Sequence, residues 1–274
     1  MICMTVSSAI ENRHFLPFPS IDDGKGKPSF DSKKPEEIRD LLNKCPGVVT
    51  LQEWVKTGTL LEKCKELSPL LYPLLRWIVA TNRAHVKGVE SKLPMNTDYQ
   101  FILKSSSPEK EEKFQKAKIE HGSFFAWHGS PLGNWHSILR VGLKNYSDTV
   151  HQRNGRVYGP GIYMAADSGT SIGYAAGYST WENSQFGKSL KCVALCEVID
   201  FGSESECLGQ VHRPKCKHCT SAPYFRIEME EYVITRFLFI FSGNASFNKN
   251  ASELKNNIEQ MKEFQPQKKD KEKK

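Results

Sequence analysis

Phe124-Phe125-Ala126-Trp127-His128-Gly129-Ser130 opens the most informative stretch of this chain, an apolar β-rich run that closes on a histidine and a glycine. A strand end holds a side chain rigidly, and a glycine beside it lets a ligand approach the backbone. Tyr158-Gly159-Pro160-Gly161-Ile162-Tyr163 follows as a glycine-punctuated turn entering a short strand, and Ser171-Ile172-Gly173-Tyr174 reads as the first turn of a helix. His-Gly-Ser alone says little, because a satisfied core histidine accounts for it. The ordered set His-Gly, Gly-x-Gly-Ile-Tyr and Ser-x-x-Tyr within about fifty residues is much harder to obtain by chance.

Outward from this stretch the periodicity changes character. YQFILK, SFFAWHGS, GIYMA, SLKCVALCEVI and EYVITRFLFIF are β-rich runs between turns, with SPEKEEKFQKAK (capped by Ser107) and PLGNWHSILRVG (ending at Gly142) as helices. Upstream, PEEIRDLLNK starts with Pro35 and two acids that suit a helix N-terminus, and Leu51–Leu67 continues the helical pattern. The spacing of Leu71, Leu74, Leu75 and Ile78 predicts a third helix over about Tyr72–Val86. Strands separated by unequal helices indicate an α+β fold. The chain divides into a flexible arm (1–33), a helical subdomain (34–92), a strand-rich domain (93–245) and a weak helix with a lysine-rich tail (246–274).

The 274 residues, 39% hydrophobic and 25% charged, exclude a wholly disordered chain, a coiled coil and a collagen-like fibre. The longest apolar run, Pro69–Ala80, is short and broken by Arg76, so no membrane span is expected. MICMTVSSAIENRH lacks the basic and apolar regions of a secretory signal, and eight cysteines are too sparse for a disulfide framework. An intracellular location, cytoplasmic or nuclear, is the expectation. The net charge of +7 lies partly in the tail QPQKKDKEKK, and nucleic-acid binding is not indicated without a basic stripe interleaved with aromatics.

On these motifs the chain resembles the poly(ADP-ribose) polymerase superfamily of diphtheria-toxin-like ADP-ribosyltransferases, over roughly Asn96 to Phe241. The likeness is nearest to its mono-ADP-ribosylating branch, whose FAFHGS-type and ENWHSILRNGL-type segments read FAWHGS and GNWHSILRVGL here. It extends upstream through YPLLRWIVATNRAH and YQFILKSSSPEKEEKF. The resemblance implies two packed, mainly antiparallel sheets with NAD in the cleft, preceded by a small helical subdomain. It implies NAD+ as co-substrate and protein acceptors, possible self-modification included, with release of nicotinamide. It further implies that His128 bonds the NAD ribose, that the Gly129 backbone and Ser171 hydroxyl hold the nicotinamide amide, and that Tyr174 and Tyr163 flank its ring. Ser130 and Asn134 fall where the family contacts adenosine, and Lys144–Tyr158 where it folds a flap over NAD.

Polymer-forming relatives carry a third catalytic residue, a Glu, thirteen residues before the aromatic of the last apolar strand. Counting back from Phe237 reaches Tyr224, giving a His128, Tyr163, Tyr224 set. A phenol with a pKa near about 10 cannot serve as a carboxylate base, so transfer would stop after one ADP-ribose. A slipped register would instead bring in Glu228, Glu230 or Glu231. The alternative function is an inactive NAD- or ADP-ribose-binding scaffold, against which the intact His128, Tyr163, Ser171 and Tyr174 set argues.

A second constellation, Cys207, His212, Cys216 and Cys219, has the composition of a compact structural zinc site or of a polar loop that happens to hold cysteines. Cys192 and Cys196, and Trp127, Trp135 and Trp181, read as core residues. His136 and His151 read as surface or helix-face histidines, and Arg153 and Arg156 as flap charges that meet either the NAD diphosphate or solvent.

Overall fold

The computed structural model describes residues 2–10, 35–82, 84–89, 92–103, 108–147, 159–176, 178–202, 211–214, 224–243 and 249–254. Helices α1 (Ile2–Ala9), α2 (Pro35–Asn43), α3 (Val48–Lys56), α4 (Leu60–Leu67) and α5 (Leu71–Thr81) precede strands β1 (Val86–Gly88) and β2 (Tyr99–Leu103). Then come α6 (Pro108–His121), β3 (Ser123–Ser130), a 3-10 turn (Leu132–Asn134), α7 (Trp135–Val141), β4 (Ile162–Met164), α8 (Ser168–Tyr174) and β5 (Tyr178–Ser179). Strands β6 (Ser189–Ile199), β7 (Val211–His212), β8 (Phe225–Ile227) and β9 (Val233–Ser242) complete two antiparallel sheets. The larger runs β1-β2-β9-β6-β3 with β5 on β6, and the smaller β4-β8-β7. The α+β architecture expected from the sequence is thus the observed one.

Continuous apolar strands require cover on both faces, and β6 and β9 receive it. Cys192, Ala194, Cys196 and Val198 join Leu238 and Ile240 in a core with Trp135 and Leu132, while Val193, Leu195, Phe237, Phe239 and Phe241 face the other side with Trp127. Burial pushes the Cys196 thiol up to about 12, so this cysteine is an inert packing group. The three tryptophans expected in the core are there.

The pairing slips between Leu195 and Cys196, where Phe237 and Thr235 are the respective partners and Arg236 is the extra residue. A bulge re-aims its side chain. Arg236 donates through Nε to Glu197 at 2.8 Å and through both terminal nitrogens to Glu111 on α6, at 2.9 and 2.8 Å. Glu197 is 1% exposed and also takes Ser123 Oγ at 2.7 Å and Lys118 Nζ at 2.6 Å. Burial alone would raise its pKa, but Arg236 and Lys118 hold it below the usual carboxylate value.

Within the 1–33 arm the described residues 2–10 form α1, which buries Val6 and Ala9, with Ile10 buried just beyond its end, and packs on the 3-10 turn and α7. Two expectations are corrected. The third helix stops at Thr81: Asn82 brackets Ala84 through Nδ2 and Oδ1, and Val86 to Gly88 pair with β2 instead. His136 is buried against Trp77 and its pKa falls to about 4 through burial and the nearby Arg140. The helices join the sheet through Trp181, whose indole donates to the Leu42 carbonyl at 3.0 Å, and Asn183, which reaches the Cys45 carbonyl at 2.8 Å. Of the weak helix near the C-terminus, a 3-10 turn at Ala251–Leu254 is described, and residues 255–274 lie outside the described residues. Among the described residues no helix is long and apolar enough to cross a membrane.

Replacing Arg236 leaves two carboxylates facing each other with one of them fully enclosed. Arg236→Met is expected to lower unfolding free energy by about 3 kcal/mol in urea titration, with partial recovery in Arg236→Met/Glu197→Gln. A loss below about 1 kcal/mol would show that the pair behaves like a surface contact.

Candidate active site

The site is built where β3 leaves the large sheet. The Trp127 N–H and carbonyl exchange hydrogen bonds of 2.8 Å with Ala165, so β3 also touches the chain just beyond β4. Alternation along β3 sends Trp127 against Phe239 and His128 toward Trp135. The next residue, Gly129, has a physical necessity. A Cβ there would lie 1.7 Å from the Ser171 carbonyl oxygen and 2.6 Å from its carbonyl carbon, both backbone atoms of α8. The helix therefore packs directly on the strand at the glycine. Asp167 caps α8, accepting from Thr170 N at 2.8 Å and Thr170 Oγ1 at 3.0 Å. Ser171 is the fourth residue of α8, so Ser171–Tyr174 forms its last turn and not its first as expected; Ser171 is buried, while Tyr174 at the helix end is 47% exposed and so open to a ligand.

His128 Nδ1 lies 3.0 Å from the Tyr163 carbonyl. A carbonyl only accepts, so Nδ1 carries the proton and Nε2 of the neutral ring is left as an acceptor. Burial lowers the His128 pKa, opposed by that same hydrogen bond. The Tyr163 phenol donates to Gly159 O at 2.6 Å. Its ring sits 6.4 Å from the Tyr224 ring at 70°, and the Tyr224 and Tyr174 hydroxyls are 3.5 Å apart. His128, Gly129, Tyr163, Ser171, Tyr174 and Tyr224 are thus brought to one place. Ser130 and Asn134 adjoin it, joined by Asn134 Nδ2 to Ser130 Oγ at 2.8 Å, with Trp135 Nε1 on the Ser130 carbonyl at 3.0 Å.

Two of the three competing acids, Glu230 and Glu228, are engaged elsewhere. Glu230 pairs with Lys144 and accepts the Asn145 N–H at 2.9 Å. Glu228 Oε1 lies 2.5 Å from Arg226 NH1 and 2.7 Å from His212 Nε2. Arg226 NH2 also lies 2.9 Å from His212 Nε2, so that nitrogen serves one neighbour at a time. This places one residue of the zinc set, His212, in a salt-linked cluster, and its pKa is lowered by burial and by Arg226. Cys207, Cys216 and Cys219 lie outside the described residues, as do flap residues 148–158 with His151, Arg153 and Arg156. Among the described residues no group of three or more His, Cys, Asp or Glu side chains could hold a metal ion. Of the expected zinc set only His212 is among the described residues, and those residues lend zinc no support. Sequence reading missed Asp167, legible in hindsight as an N-cap before Ser168-Gly169-Thr170, and Arg226, which no local pattern marks.

Residues 87–234 match the family model described as the poly(ADP-ribose) polymerase catalytic domain. Similar proteins include human protein mono-ADP-ribosyltransferase PARP8, 32% identical over 274 residues that cover 85% of this chain and 30% of that protein. Human protein mono-ADP-ribosyltransferase PARP16 is 35% identical over 103 residues, 38% of this chain and 30% of the relative. The chain spans 30% of the length of each of these curated relatives.

Gly129→Ala is expected to destabilise the fold by about 2 kcal/mol or more, because neither the strand nor the helix backbone yields cheaply. Gly173→Ala, with nothing within 4 Å of the added carbon, is the control and should hold its melting temperature. Equal behaviour of the two variants in thermal melts would contradict the close approach.

Proposed function

This chain belongs to the poly(ADP-ribose) polymerase catalytic-domain family, and we propose that it is an NAD-dependent protein mono-ADP-ribosyltransferase. The two relatives' names, both protein mono-ADP-ribosyltransferases, support the reading. The observation that carries it is Tyr224 set beside the Tyr163 ring with its hydroxyl 3.5 Å from that of Tyr174, where a polymer-forming enzyme would need a carboxylate, with Glu228 and Glu230 tied to other partners.

In this reading NAD supplies a ribose whose bond to nicotinamide breaks as nicotinamide leaves. His128 accepts a ribose hydroxyl at Nε2 and fixes the sugar. The Gly129 backbone and the Ser171 hydroxyl hold the amide, and Tyr163 and Tyr174 flank the ring and bind its two faces. Tyr224 fills the position beside them and offers a phenol, which neither abstracts a proton from an incoming ribose hydroxyl nor stabilises a second transfer. One ADP-ribose then passes to a protein side chain, with the protein itself among the acceptors.

Incubation with NAD, followed by intact mass and nicotinamide release, tests this. Discrete additions of single units are expected, with release falling about 100-fold in His128→Ala. Heterogeneous ladders would contradict mono-transfer, and bound NAD with no release would leave an inactive binder. The pH profile is a second test. His128 stays neutral as pH falls through its ordinary value of 6.5, so release should not drop there. Loss is expected only further into acid, when protonation turns Nε2 from acceptor to donor. A half-point at 6.5 would contradict the buried, neutral ring.

A further inference from the structure

Tyr163 is held from behind by Arg226. On the small sheet Arg226 stands directly opposite Tyr163 of β4 and opposite His212 of β7. Opposed residues in antiparallel strands share a face, so the arginine runs beside the tyrosine. It is 8% exposed, its NH1 donates to the Pro160 carbonyl at 2.6 Å, and Glu228 balances its charge. The preceding carbonyl, that of Gly159, takes the Tyr163 phenol. Two successive carbonyls are therefore gripped, one by the tyrosine and one by the arginine. The turn lies directly on the guanidinium: a Cβ at Gly159 would meet NH1 at 3.1 Å, and one at Gly161 would meet Arg226 Cγ at 2.7 Å. Both glycines have positive φ, of 100° and 151°. From the other side, Gly161 N donates to Ser147 Oγ at 2.9 Å, and Asn145 Nδ2 donates to Glu228 O at 3.1 Å.

We propose that Arg226 is a positioning residue for the NAD site: it clamps the Gly159–Gly161 turn and so orients the Tyr163 ring, without touching NAD. The inference rests on the reading of Tyr163 as a wall of the nicotinamide site. Arginine suits the task because its planar fork serves the Pro160 carbonyl and the Glu228 carboxylate together, which a lysine ammonium does not match. A wall that flanks the ring in ground and transition states alike contributes uniform binding, so its loss raises Kd and KM and leaves kcat largely alone.

The test uses the full chain with Arg226→Met, Arg226→Lys, Tyr163→Phe and the double variant Arg226→Met/Tyr163→Phe, reading NAD affinity by calorimetry, nicotinamide release and melting temperature. Arg226→Met and Tyr163→Phe are each expected to weaken NAD about tenfold, Arg226→Met with kcat changed less than about threefold, and the double variant is expected to weaken NAD no more than either single, since both release the same turn. Arg226→Lys keeps a charge for Glu228, so it reports even where the methionine variant fails to fold, and should recover only part of the affinity. Unchanged affinity in Arg226→Met or Arg226→Lys, or strictly additive losses, would overturn the proposal. Wild-type protein that binds NAD without releasing nicotinamide would sink the transferase reading and leave the Arg226 comparison to be decided on affinity. Wild-type protein that binds no NAD would overturn both.

Discussion

The close approach of α8 to β3 at Gly129 is the constraint on which the site depends. With no side chain at that position, the Ser171 backbone comes within a distance that any Cβ would occupy. The consequence is geometric. Strand β3 is locked into the large sheet by its full register with β6, so its end is a fixed reference point. The helix that rests on it inherits that fixity and carries Ser171 and Tyr174 at set positions relative to His128. Asp167 supports the arrangement by starting the helix where the strand needs it.

The distribution of charge follows a related logic. Three acidic residues are each bound to a nearby cation: Glu197 to Arg236 and Lys118, Glu228 to Arg226, Glu230 to Lys144. The side chains grouped with Tyr163 at the proposed ring site, Ser171, Tyr174 and Tyr224, are hydroxylic and aromatic, suited to a flat, positively charged ring and its amide. Glu228 and Glu230 brace the chain on either side of the 148–158 segment through Arg226, Asn145 and Lys144. In the proposed reaction their contribution is geometric and not proton transfer.

Much of this was legible in the sequence, and what was not has identifiable causes. SFFAWHGS and SLKCVALCEVI match β3 and β6 because long apolar runs bounded by polar residues and turns have one solution. The His-Gly and Ser-x-x-Tyr motifs announced a shared site because glycine and small polar residues at such spacing mark close backbone approach. Strands β7 and β8, of two and three residues, are too short for any pattern to reveal. The helix α1 hid because Val6, Ala9 and Ile10 give a single helical repeat without a capping or charge signal. Arg226 was invisible for a deeper reason: its role depends on what β4 and β7 place beside it, which is a property of the sheet and not of the neighbouring residues. His212 was read with the cysteines because of spacing alone, and it lies within hydrogen-bond distance of Arg226 and Glu228.

The account stands or falls on where the nicotinamide ring sits. A crystal structure of the protein with a non-hydrolysable NAD analogue addresses this directly. The account predicts the ring between Tyr163 and Tyr174, its amide on the Gly129 backbone and the Ser171 hydroxyl, and a ribose hydroxyl on His128 Nε2. A ring bound elsewhere, or one stacked in this cleft with its amide turned away from Gly129, would contradict it.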